Sequence, residues 1–243
     1  NKPGFTLFDH DVYALCGDGD MMEGVAAEAA SLAGHLKLSN LCWIYDSNDI
    51  SIEGSTDLAF DEDVGKRFEA YGWQVIHVDD ANDVAALSAA LDQFKACEDR
   101  PTFIVVRSII GWGSPRAGTE KAHGEALGEE NVAKTKQAYG WDPEKHFFIP
   151  DGVLDHLRGK LSRGQQLRDE WVASVDRYRR EYPELAAELD LLLKDELPDD
   201  WDADVPEFPA DEKGVASRDS GGKVLNALAK RVPWLIGGSA DLA

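Results

Sequence analysis

Basic side chains are scarce in this sequence: its 243 residues hold 25 Lys plus Arg against 46 Asp plus Glu, a formal net charge of −21. That surplus of carboxylates repels phosphate backbones and anionic headgroups, which excludes nucleic acid and membrane surfaces as general partners. Cysteine is nearly absent as well. Cys16, Cys42 and Cys97 are odd in number and show no CxxC spacing, which argues against a disulfide framework and predicts reduced thiols in a cytoplasmic protein. No stretch approaches the ~18 consecutive apolar residues of a membrane span, and no basic, apolar and small-residue signal peptide is visible. A soluble, unexported chain is expected. Also missing are GxGxxG, a Walker motif and a GxSxG elbow, so a dinucleotide site, a P-loop and a serine hydrolase built on Ser114 or Ser239 have no support. There is no internal repeat and no low-complexity tract.

What is present is a globular chain of ordinary hydrophobic content, 43%, long enough for one large domain or two small ones. Val12 to Cys16 is a short apolar run ending in glycine, and Glu23 to Leu36 is Ala-rich, which predicts strand, loop and helix. Leu41 to Tyr45, Trp73 to Val78 and Pro101 to Val106 predict three further strands, separated by helices over Asp61 to Tyr71 and Val84 to Cys97. Strands alternating with helices at these lengths imply an α/β fold, a mainly parallel sheet with helices on both faces. Gly111 to Gly128 lacks periodicity and predicts a functional or disordered loop. Val153 to Leu193 predicts a charged helical segment broken near Pro183, followed by an extended linker over Asp195 to Asp211, a helix over Gly222 to Arg231 and a short strand over Trp234 to Ile236. The expected organisation is an α/β domain over 1–150, a helical and extended linker over 151–211, and the beginning of another domain over 212–243. Asn1 is not Met and a polar turn precedes a buried-looking strand by only a few residues, so truncation is expected.

Asp18 directly follows the first strand and Asn48 follows the second in the same manner, thirty positions later. If these strands are neighbours, both loops emerge at the sheet edge where open α/β folds bind ligands. The Asp18 carboxylate, the Asn48 amide oxygen and the backbone carbonyl of Ile50 then form a hard-oxygen set suited to Mg²⁺ or Ca²⁺, with positions left for phosphate. Gly17 and Gly19 allow close approach of a diphosphate, and the helix starting near Glu23 offers N–H groups to it. An EF-hand fails because Met22 and Glu23 stand where Asp or Asn and then Gly are needed.

The run Gly17-Asp18-Gly19-Asp20-Met21-Met22-Glu23-Gly24 with Asn48-Asp49-Ile50 resembles the thiamine diphosphate signature of the transketolase family. EAASLAGHLKLSNL at 28–41, ISIEGST at 50–56, FDEDV at 60–64, EAYGW at 69–73, IGWGS at 110–114, KAHG at 121–124 and IGGSADL at 236–242 extend the likeness over nearly the whole chain. The resemblance implies a thiamine diphosphate-binding fold over 1–150 whose amino-terminal part is missing, and the start of a pyrimidine-binding domain over 212–243. It implies transfer of a two-carbon ketol unit between sugar phosphates with thiamine diphosphate and a divalent metal as cofactors, in a homodimer when full length. It assigns the metal to Asp18, Asn48 and Ile50. It places Gly17, Asp18, Gly19, Glu23, Asn48, Ile52, Ile110, His123 and Asp241 at the cofactor. His123 doubles as the proton-moving and substrate-binding histidine, and Arg218 binds sugar phosphate. Glu23 and Glu28 match acids at the subunit interface, whereas His35 reads as a packed or capping histidine, and from the sequence alone Ile52 and Ile110 read as core residues. The isolated chain, lacking the aminopyrimidine half, is expected to be inactive, and a non-catalytic cofactor-binding module remains the alternative.

Overall fold

The computed structural model describes residues 1–238, which divide into two compact units: Phe8–Leu154, and Asn1–Leu7 together with the chain from Asp155 onward. The larger unit is built on a four-stranded sheet of β1 (Val12–Gly17), β2 (Leu41–Ser47), β5 (Gln74–Val78) and β6 (Thr102–Arg107). Its order is β1-β2-β6-β5 and every pairing is parallel. A separate antiparallel ribbon joins β3 (Ile50–Ser51) to β4 (Gly54–Ser55).

Period-two alternation sorts the strand residues between two cores. Tyr45 and Phe103 point to one face, where they meet Ala30 and Ala33 of α2 (Gly24–His35) and Phe68 of α3 (Val64–Ala70). Phe68 and Phe103 stack with centroids 3.8 Å apart, and each is fully buried, a burial worth about 1.5–3 kcal/mol per ring. The other face receives Cys42, Ile76, Ile104 and Val106, covered by Ala90 and Phe94 of α4 (Val84–Ala96). Both α3 and α4 begin where an aspartate side chain accepts a backbone N–H, Asp63 from Lys66 and Asp83 from Ala86. Close approach explains one glycine. A methyl group on Gly34 would sit 1.9 Å from the Tyr71 carbonyl oxygen, so the turn before β5 can pack against α2 only because that side chain is absent. All three cysteines are free thiols, with Cys42 fully buried and Cys16 and Cys97 partly so.

In the second unit, α6 (Val153–Glu181), which begins at the boundary between the units, runs into α7 (Pro183–Lys194) through a break at Tyr182, with Pro183 opening the new helix. Phe5 and Leu7 pack with Val175, Tyr178 and Ala186, and the Trp171 indole N–H donates to the Leu7 carbonyl at 2.9 Å. The last helix is α8 (Ser217–Arg231), where Arg231 holds Asp200 and Asp204.

Five expectations need correction. The Gly-Asp-Gly-Asp run is not a loop: it forms a short helix, α1 (Asp18–Met22), because the Asp20 carboxylate accepts the Gly17 N–H at 2.8 Å, and extended Glu23 then separates α1 from α2. A helix also forms over α5 (Glu129–Ala138), where no element was expected. The strand expected at Trp234 to Ile236 is absent; Pro233 and Trp234 turn instead, and α8 starts five residues earlier than its apolar pattern indicates. His35 is exposed in the last turn of α2 and is not packed. Among the described residues, no helix is long and apolar enough to cross a membrane.

Candidate functional site

β1 and β2 are adjacent and pair in register, with Gly17 opposite Asp46. Their carboxyl ends therefore deliver Asp18 and the turn after Ser47 to one edge of the sheet. Asp18 is only 4% exposed. Its Oδ1 accepts the Tyr45 hydroxyl at 2.5 Å, and its Oδ2 accepts the backbone N–H groups of Asn48 at 3.2 Å and Asp49 at 3.0 Å. A carboxylate offers about four lone-pair directions, so three bonds leave one free on Oδ1. The Asn48 amide oxygen accepts the Ile50 N–H at 3.0 Å, which folds the turn back on itself, and Ile50 then enters the ribbon opposite Ser55.

Burial and the bond to Asp18 push the Tyr45 phenol above its ordinary range, so it remains a donor. Burial pushes the neighbouring Cys16 thiol up to about 12, with the Asp20 and Asp46 charges adding to it, which keeps that thiol protonated and inert. Beyond the turn, the Arg107 guanidinium at the end of β6 pairs with Asp49 through both of its terminal nitrogens. Ser108 donates to the Asp46 carboxylate.

Two openings flank these groups. A cleft of about 440 Å³ lies beside Gly17 and Asp20, walled by Ile44, Leu87 and Val106. A hollow of about 190 Å³ contains Asp18, Tyr45 and Asp49. Gly17 has φ −118°, which any residue adopts, so its backbone does not require glycine. A methyl group on Gly19 would meet no atom within 4 Å, and one on Gly17 would meet only Asp20 Oδ2 at 4.0 Å. Both glycines thus leave open space rather than fill a packing role. Of the expected oxygen ligands, the Asp18 carboxylate lines the smaller hollow, and a carboxylate with a free lone pair beside open space fits a hard cation. Among the described residues there is no cluster of three or more His, Cys, Asp or Glu side chains able to hold a metal.

The remaining expected site residues are distributed as follows. Glu23 is exposed at the break between α1 and α2, and Glu28 is exposed on α2. Ile52 is 68% exposed at the tip of the ribbon, which removes the core reading for it; Ile110 is half-buried and its carbonyl accepts the Gly118 N–H at 2.9 Å. His123 is exposed just after a short 3₁₀ turn, Glu120–Ala122, in the irregular segment. Arg116 holds that segment by donating to Glu125 at 3.1 Å and to the Ala126 carbonyl at 3.1 Å. Arg218 belongs to the other unit, on the first turn of α8, with its side chain 77% exposed and Asp219 at 3.9 Å. Asp241 lies outside the described residues. Sequence reasoning missed Tyr45, Asp49 and Arg107. Only the period-two placement of Tyr45 on the face shared with Trp43 hinted at the first.

Known proteins resemble this chain over its whole length. The family described as "Transketolase, thiamine diphosphate binding domain" matches residues 1–198. The transketolase of Bacillus subtilis is 49% identical over 100% of this chain and 37% of its own length, and transketolase 1 of Saccharomyces cerevisiae is 43% identical over 100% and 36%. Among solved structures, the Pichia stipitis transketolase in complex with sedoheptulose 7-phosphate superposes with a TM-score of 0.91 at 41% identity, covering 100% of this chain and 36% of that one. The Leishmania mexicana transketolase gives 0.91 at 40% identity over the same shares. The chain thus spans little more than a third of the length of these relatives. With a family match over most of its residues and a parallel α/β sheet shared with the solved relatives, the chain belongs to the transketolase family.

Proposed function

We propose that this chain contributes the diphosphate and metal half-site of a transketolase, which moves a two-carbon ketol unit from a ketose phosphate to an aldose phosphate. The observation that carries this reading is the bonding of the Asp18 carboxylate to the N–H groups of Asn48 and Asp49, which joins the two halves of the signature. Thiamine diphosphate, when bound, supplies the electron sink for such chemistry. The chain's own residues do the rest of the local work. Asp18, Asn48 and the Ile50 carbonyl hold Mg²⁺ or Ca²⁺, while Gly17 and Gly19 leave the diphosphate room beside the sheet edge. Glu23, Ile52, Ile110 and Asp241 flank the cofactor. His123 donates to an anionic oxygen or relays a proton. Arg218 offers its planar fork to a sugar phosphate.

In this proposal residues 1–150 form the diphosphate-binding domain, 151–211 the linker and 212–243 the start of the pyrimidine-binding domain of a homodimeric enzyme. The sugar-phosphate complex of the Pichia stipitis relative supports that substrate class. The test is ketol transfer from xylulose 5-phosphate to ribose 5-phosphate by the protein as its gene encodes it, with Mg²⁺ and thiamine diphosphate added. Turnover that disappears with either cofactor supports the reading. Cofactor binding without turnover points instead to a non-catalytic module.

A further inference from the structure

Asp49 stands between two of the residues assigned to the cation, Asn48 and Ile50, and its φ of +62° is in the left-handed region. That conformation is costly for side chains other than glycine, though Asp and Asn tolerate it better than most. Two contacts hold it there. Its own N–H donates to Asp18 Oδ2 at 3.0 Å, and its carboxylate is gripped by Arg107, whose Nη1 donates to Oδ1 at 2.9 Å while Nη2 donates to Oδ2. Arg107 is the last residue of β6, an interior strand that lies between β2 and β5. It pairs in register with Ser47, the residue before the turn, and the Ser108 N–H donates to the Ser47 carbonyl at 3.2 Å. The turn is thereby anchored at its entry by backbone and at its apex by the guanidinium.

We propose that Arg107 is a positioning residue of the cation site: its fork on Asp49 fixes the turn so that the Asn48 amide and the Ile50 carbonyl are held ready for the ion. This inference rests on the metal half-site proposed above. The pair is a weak contributor to global stability because its side chains are 56% and 46% exposed and screened by water. Its geometry is another matter. A planar guanidinium bound to both carboxylate oxygens fixes the orientation of the aspartate, and through it the backbone that carries Asn48 and Ile50.

Positioning and simple charge make opposite predictions. Removing Arg107 leaves an uncompensated anion near the ion, whereas neutralising Asp49 leaves an uncompensated cation. Through charge alone, Arg107→Ala would tighten Mg²⁺ binding and Asp49→Asn would loosen it. Through positioning, both loosen it. The experiment is a calorimetric titration of Mg²⁺ into the protein as its gene encodes it, with a fixed concentration of thiamine diphosphate present, for the wild type, Arg107→Ala, Arg107→Lys, Asp49→Asn and the Arg107→Ala/Asp49→Asn pair. Each single substitution is expected to weaken Mg²⁺ by about tenfold, the low end for residues that orient metal ligands. The double variant should lose no more than either single one, Arg107→Lys should fail to restore affinity because an ammonium has no fork, and melting temperatures in EDTA should match the wild type. Effects of opposite sign, unchanged affinity, full rescue by lysine, or a fall in melting temperature that accounts for the loss would overturn the assignment. A wild type indifferent to Mg²⁺ would overturn the half-site itself, and shows before any substitution is compared.

Discussion

The Tyr45 hydroxyl donates to the buried Asp18 carboxylate at 2.5 Å, while the Tyr45 ring stacks on Phe103 with centroids 5.6 Å apart. One side chain therefore links the aromatic core under the sheet to the carboxylate at its edge. Tyr45→Phe keeps the ring and removes only the donor. It should lower unfolding free energy by about 1.5–3 kcal/mol, the range for a hydrogen bond to a charged group, and loosen Mg²⁺ binding in parallel. Urea denaturation and calorimetry check both; unchanged stability would mean that the hydroxyl holds nothing in place.

Alkaline pH should destabilise this fold through identifiable groups. Burial pushes the Cys16 and Cys42 thiols up to about 12, and burial plus the bond to Asp18 raises the Tyr45 phenol. In each case the folded state favours the protonated form. Their contribution is complete below the unfolded values, about 8.5 for Cys and about 10 for Tyr, and is lost as pH climbs through the folded ones. The melting temperature should hold near neutral pH and decline from about pH 9 upward, with a shallower decline in Cys42→Ala measured against its own neutral value. A flat profile to strongly alkaline pH would contradict this.

Two glycines should behave in opposite ways when changed to alanine. Gly34→Ala drives a methyl group into the Tyr71 backbone and should cost about 1–3 kcal/mol, the usual range for overpacking. Gly19→Ala meets nothing within 4 Å and lies inside α1, so it should leave stability unchanged or improve it by up to about 1 kcal/mol. It should nevertheless weaken thiamine diphosphate, since the methyl group occupies the space assigned to the ligand. Thermal melts beside calorimetry separate the two effects. Intact cofactor affinity in Gly19→Ala would remove this glycine from the diphosphate site.

Arg218→Ala, in the protein as encoded, should raise KM for phosphorylated sugars more than for unphosphorylated ones. Loss of a charge-assisted fork costs about 1.5–3 kcal/mol, roughly tenfold or more. Equal effects on both substrate types would make Arg218 a residue of α8 structure only.

The parallel sheet was legible because LCWIY at 41–45 and TFIVV at 102–106 are short β-branched and aromatic runs, each followed within a few residues by polar residues. α3 and α4 were expected over Asp61 to Tyr71 and Val84 to Cys97; they start at Val64 and Val84, where the Asp63 and Asp83 side chains cap them. α5 was not legible, since EENVAKTKQA carries too few apolar residues to show a period. α1 was missed because Gly-Asp-Gly-Asp reads as a turn until the Asp20 side chain is seen to cap it. The apolar run Trp234 to Ile236 resembled a strand, yet a strand needs a neighbour to bond with, and sequence periodicity says nothing about whether one is in reach. The meeting of Asp18 and Asn48 at one sheet edge was readable from their placement after two strands expected to be neighbours. Tyr45 on Asp18 and Arg107 on Asp49 were not, because they bridge 27 and 58 positions and depend on the register of the folded sheet.

The half-site is tested most directly by titrating thiamine diphosphate into the wild type and into Asp18→Asn, each with Mg²⁺ and with EDTA, in a calorimeter. Asparagine keeps the size of the side chain and removes its charge, and circular dichroism confirms that the variant is folded. Saturable binding by the wild type that requires Mg²⁺, and its loss by at least about tenfold in Asp18→Asn, is the predicted result. Binding that persists in EDTA, or equal affinity in the two proteins, would contradict the assignment of Asp18 and the turn it holds to the cofactor metal.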